Sequence, residues 1–208
     1  MPLDSGRAAA EIRIRLIGVP RLSEAAEGSA GTEAETGSEA EIAAVSALVR
    51  AAYEDDYRLD EGYLAEIADV RGRMAVAEVW VAEDLRSGAL LGTVTVPRPG
   101  ERLHDDTAEG EMDLRLLGVA HEARGRGVGE RLMRHCIDLA RRRGASRLVL
   151  HTASQMEAAW RLYDRMGFTR IPEREYDFVA SGEVRHLMAY GIGVAFERQL
   201  EPERGAGG

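Results

Sequence analysis

No lysine occurs anywhere in the 208 residues. All 27 basic side chains are arginine, so a phosphate loop of the Gly-Lys-Ser/Thr type is excluded at once. The single cysteine, Cys136, rules out an intramolecular disulfide and any zinc site built on two or more thiolates. No stretch approaches the roughly 18 apolar residues of a membrane span. Residues 1–15 carry Asp4 and Glu11 and lack the continuous apolar core of a secretion signal. A surplus of positive charge is missing too: the net charge of −9 argues against wholesale nucleic-acid binding, which depends on clustered cations. The expectation is a soluble protein, cytoplasmic by default, with neither membrane nor nucleic acid as partner and with no metal.

What is present fits one domain. A length of 208 residues, 45% of them hydrophobic and 30% charged, suits a single globular core. We expect it over residues 1–200, with a loose tail at 201–208. Residues 23–38 hold only small and polar side chains, which cannot offset their ordering entropy, so a flexible loop is expected there. Charge is unevenly spread: residues 24–41 carry six Glu and no basic residue, while residues 121–150 carry eight Arg against Glu122, Glu130 and Asp138. That second segment could attract a polyanion.

Periodicity gives the order of elements. Ile12, Ile14 and Leu16 alternate with charged residues as in a half-buried strand. Ile42, Val45, Leu48 and Val49 recur at helical spacing over residues 39–53, with Ser38 and Glu41 spaced as a capping box. A second helix is expected at about 59–70. Residues 79–83 and 89–96 read as an antiparallel hairpin, followed by a strand at 111–119, a helix at about 130–143 ended by Gly144, a strand at 147–152, a helix at 155–166, and strands at 168–178 and 186–196. The sum is a mixed α/β sheet flanked by helices.

Two features carry chemistry. Along 111–119, Glu111, Asp113 and Arg115 share one face and Met112, Leu114 and Leu116 the other, until Leu117 and Val119 reverse the phase. One extra residue in the strand, a β-bulge near 116–118, would account for the reversal and leave backbone groups free for a ligand; the alternative is a strand end buried on both faces. The next segment, Arg124-Gly125-Arg126-Gly127-Val128-Gly129, leads from this strand into an amphipathic helix. Successive glycines let the backbone approach a ligand closely, and the unsatisfied N–H groups of a helix start attract an anion. Arg124 and Arg126 could neutralise phosphate charge, although such a turn can also be no more than a tight connection. A dinucleotide fingerprint is disfavoured, because the third glycine comes too early and residues near Leu150 and His151 are not acidic.

Val119-Ala120-His121-Glu122-Ala123-Arg124-Gly125-Arg126-Gly127-Val128-Gly129 resembles the coenzyme A signature of the GNAT acetyltransferases. A second block, Ala159-Trp160-Arg161-Leu162-Tyr163-Asp164-Arg165-Met166-Gly167-Phe168, is similar to that family's later helix. The resemblance implies a mostly antiparallel, twisted GNAT-like sheet with a splayed central strand pair, and acetyl-CoA as acyl donor. It places pantetheine on Leu117, Gly118 and Val119, and the pyrophosphate on Arg124, Gly125, Arg126, Gly127, Val128, Gly129 and Glu130. Tyr163 would face the sulfur and supply a proton to the departing thiolate; read without the family, it is a half-buried helix tyrosine. Asp113, through a water relay, or Glu111 would serve as base toward the amine, with His151 a third candidate; both carboxylates can equally be read as solvated strand residues. Two departures stand out: His121 where the family commonly has Pro, and Met156 where the later helix often has an Asn that bonds the coenzyme. The implied activity is transfer of an acetyl group to a primary amine of a small molecule or peptide, and the competing reading is a non-catalytic acyl-CoA-binding module. A homodimer is a family-based expectation. Cys136, on the helix's apolar stripe, is read as core rather than as nucleophile.

Overall fold

A computed structural model describes residues 11–18, 39–54, 59–180 and 183–194. The expected flexible loop, the Ser38 cap and the tail lie outside the described residues. β1 (Ile12–Leu16), α1 (Glu39–Glu54), α2 (Glu61–Ala68), α3 (Val70–Val76), β2 (Ala77–Asp84), β3 (Leu90–Pro97) and β4 (Glu111–Val119) precede α4 (Val128–Arg142). β5 (Arg147–Ala153), α5 (Glu157–Arg165), β6 (Thr169–Arg170), β7 (Tyr176–Ala180) and β8 (Glu183–Gly193) follow. The sheet runs β1-β2-β3-β4-β5-β8-β6, with β7 also on β8. Its one parallel pair is β4–β5; the others are antiparallel. No described helix is long and apolar enough to cross a membrane.

Strand alternation divides the core into two layers. Val79 and Val81 of β2 pack with Val45 and Val49 of α1 and with Ile67 and Val70. Ala82 and Trp80 lie on the opposite side, in the layer of Leu132, Met133 and Cys136 from α4, Leu114 from β4, and Leu148 and Leu150 from β5. α4 ends where Gly144 takes a φ of 76° and Ala145 N donates to Ala140 O at 3.0 Å, a left-handed stop that satisfies a terminal carbonyl. Burial pushes the Cys136 thiol up to about 12, which suits a core residue.

Two expected elements are divided. The helix read over 59–70 is α2 and α3. Asp60 caps the first, accepting from Tyr63 N at 2.9 Å, and Asp69 caps the second, accepting from Gly72 N at 2.8 Å. The strand read over 168–178 is β6 and β7, separated by a 3-10 turn over Pro172–Arg174 that starts on a residue unable to donate to a ladder.

His104 and His135 both sit below the ordinary histidine value of 6.5, chiefly through burial, with Arg115 adding at the first and Arg142 at the second. Both fold as neutral rings. Below about pH 6.5 the unfolded chain binds protons that the folded chain refuses, so their contribution to stability is present above that pH and is lost as pH falls. Scanning calorimetry should show a smaller loss of Tm between about pH 7 and pH 5 in His135→Gln than in the wild type.

Candidate active site

β4 and β5 pair from Glu111↔Arg147 to Leu114↔Leu150 and no further. β5 continues to Ala153 on β8, and β4 continues to Val119 on β3. On the β3 side, Thr95 faces Arg115 and Thr93 faces Gly118, so two steps on β3 match three on β4. That is a bulge. Leu116 absorbs it with a φ of 55°, a left-handed conformation that is unusual for a branched side chain. β4 turns away from β5 as a result, and the backbone of residues 115–119 has no strand on that side among the described residues.

The turn after β4 presents an anion site. Gly125 and Gly127 adopt φ of 71° and 76°, with open space where a Cβ would stand. Gly127 starts α4 without a side-chain cap, and the first backbone bond into the helix is Arg131 N to Gly127 O at 3.0 Å. The N–H groups of Val128, Gly129 and Glu130 therefore remain for a ligand. Gly129 is needed for closeness: a Cβ there would lie 3.2 Å from Leu162 Cδ2 and 3.6 Å from Val119 Cγ2. An uncapped helix start beside a strand with unpaired backbone fits a diphosphate carrying an amide-bearing arm.

A cavity of about 450 Å³ runs through this gap, lined by Leu117, Gly118, Val119, Arg124, Gly125, Gly127, Val128, Gly129, Glu130 and Tyr163. Arg126 is not on its wall; it pairs with Asp84 at 3.3 Å. Arg124 donates to Ala52 O at 3.3 Å, tying the turn to α1. Tyr163 is buried at 4% exposure, its ring 5.8 Å from those of Phe168 and Tyr190. Met156 lines the cavity at the start of α5.

The two carboxylates expected as bases stand elsewhere. Asp113 is fully buried and accepts from Leu103 N at 2.8 Å, His104 N at 2.6 Å and Thr107 Oγ1 at 2.9 Å, so it is consumed in holding the 103–107 loop and is not a solvated strand residue. Glu111 accepts from Arg174 at 2.6 Å and Ala108 N at 3.0 Å and lies 3.8 Å from Arg147. Burial pushes its carboxyl up, but these donors and the arginine charge outweigh that and hold it below the usual range. Neither lines the coenzyme-side cavity or the one that adjoins it.

His151 lies on the wall of both. Its side chain is 5% exposed, with Nε2 3.2 Å from Asp106 Oδ2, both ring nitrogens buried without a hydrogen bond, and the ring 4.9 Å from that of His104. His104 and Asp106 escaped the sequence reading because only the loop held by Asp113 carries them to β5.

The acetyltransferase (GNAT) family model matches residues 42–168. Mycothiol acetyltransferase of Beutenbergia cavernae is 34% identical over 93 residues, 45% of this chain and 29% of that protein. N-acetyltransferase family 8 member 3 of Rattus norvegicus is 34% identical over 101 residues, 49% of this chain and 42% of that protein. The chain thus spans less than half the length of these curated relatives. Among solved structures, yncA of Salmonella typhimurium, determined with its cofactor acetyl-CoA, shares the fold at a TM-score of 0.56 and 20% identity, over 93% of this chain and 99% of that one. With a bulged β4 parting from β5 above an open glycine turn, and with more than half its length matched by the family model, the chain belongs to the GNAT family of acetyltransferases.

Proposed function

We propose that the protein transfers an acetyl group from acetyl-CoA to a primary amine of a small molecule or peptide by direct attack. The observation that carries this reading is the parting of β4 from β5 after Leu114, directly before an uncapped helix start. Backbone groups of Leu117 and Val119 pair with pantetheine, Gly118 keeps the strand close to α1, and the N–H groups at the start of α4, from Val128 to Glu130, hold the pyrophosphate on the glycine turn. A Cβ at Gly118 would lie 3.3 Å from Ala52 Cβ, which is why a bare backbone serves there.

The base role, expected of Asp113 or Glu111, falls in this proposal to His151. A carboxylate 3.2 Å from Nε2 favours the tautomer that carries its proton there, which leaves the Nδ1 lone pair for a proton of the attacking amine. The amine nitrogen bonds the thioester carbon, its proton passes to His151, the C–S bond breaks, and the thiolate takes a proton from the Tyr163 hydroxyl. Tyr163→Phe should lower kcat roughly tenfold or more while coenzyme affinity stays within about twofold; an unchanged kcat would remove the tyrosine from the chemistry.

Incubation with acetyl-CoA and a mixed set of amines, followed by product mass and thiol release, tests the whole proposal. A mass gain of one acetyl group with stoichiometric thiol supports it. Coenzyme binding without release on any acceptor favours a non-catalytic acyl-CoA-binding module.

A further inference from the structure

The cavity adjoining the coenzyme groove has a volume of about 670 Å³, within the usual range for small-ligand sites. The two share Arg115, Leu116, His151 and Thr152 on their walls, so a molecule in the second cavity reaches the thioester across the parted strands. Its charged lining is uneven. Arg115 is half-buried, and its side chain has no hydrogen bond or ion pair among the described residues. The carboxylates on the wall, Asp60 and Glu66, belong to exposed positions on or beside α2, and Asp60 is occupied capping that helix.

Among the described residues, the acidic run beside α2 does not redress the balance. Glu54 and Glu61 are both held by Arg50, at 3.2 and 2.9 Å, while Asp55 and Asp56 lie outside the described residues. A half-buried guanidinium without a counter-charge bears a desolvation cost that a bound anion relieves. We infer that the acceptor is a small amino acid, a molecule carrying both the reacting amine and a carboxylate, with the carboxylate held by Arg115. This rests on the acetyl-transfer reading above.

The arrangement also serves the chemistry. A guanidinium near the acceptor amine disfavours its protonated form, leaving the lone pair that attack requires. A polyamine would meet the same guanidinium as a repulsion, which gives discrimination as well as affinity.

Thiol release should be followed with α-amino acids, β-alanine and γ-aminobutyrate, each paired with its carboxamide, and with spermidine. The acids should be consumed at least roughly tenfold more efficiently than their amides. Arg115→Ala should raise KM for the acids roughly ten- to 100-fold and leave KM for the amides unchanged, with partial recovery in Arg115→Lys. Unchanged melting temperature and circular dichroism in these variants separate the effect from misfolding. Equal or better use of amides or spermidine overturns the inference and leaves acetyl transfer standing. If no amine is consumed, calorimetry of the same acids with desulfo-CoA present decides: binding lost in Arg115→Ala upholds the carboxylate site while the transfer reading falls, and no binding overturns it.

Discussion

His151→Gln should lower kcat about 100-fold, at the lower end of what a positioned base contributes, with the coenzyme dissociation constant unchanged. The expectation follows from place rather than residue type. His151 is on the wall of both cavities, one residue beyond the last parallel pair at Leu150, with Asp106 3.2 Å away to fix the ring. Asp106→Asn removes the charge beside the ring and not the proton acceptor, so its loss should be smaller, about tenfold. Steady-state kinetics of the two variants check both. If the glutamine variant keeps its rate, the base is another group.

Gly127→Glu should weaken coenzyme A binding about 100-fold, whereas Gly127→Ala should weaken it only severalfold. Open space surrounds the position where a Cβ would stand, so bulk is not the obstacle. The left-handed φ of 76° costs either substitution about 1–2 kcal/mol of stability. The carboxylate alone brings negative charge to the amides that would hold the diphosphate, and a loss of about 2.7 kcal/mol in binding corresponds to the 100-fold change. Calorimetric titration of the two variants separates strain from charge. Equal affinities would mean that the diphosphate lies elsewhere.

The parts of the fold that announced themselves are those in which local periodicity and tertiary role agree. The phase reversal at Leu117 and Val119 marked the bulge because each strand side has a layer to pack against, and an extra residue must show as a change of face. The α4 stripe with its terminal Gly144 was equally plain, since amphipathicity and a left-handed stop are both written locally. Asp69 was available as a signal for the break between α2 and α3, yet an aspartate inside a helical pattern also reads as a solvated position. Pro172 likewise marked the interruption of the late strand. The candidate site was legible only along residues 111–130, where one continuous segment supplies strand, turn and helix. The acceptor side is assembled from residues distant in sequence: Asp106 reaches His151 because Asp113 anchors the loop between them, and strand alternation contains no trace of that contact. The same anchoring explains why Asp113, on a face expected to meet substrate, is buried instead.

The account depends on amides of the glycine turn meeting a diphosphate. Titrating the protein with free coenzyme A while recording backbone amide resonances tests that directly. Measurable binding heat, with the largest shifts at residues 125–130 and smaller ones at 117–119, is the predicted result. No heat, or shifts confined to other parts of the chain, would contradict it.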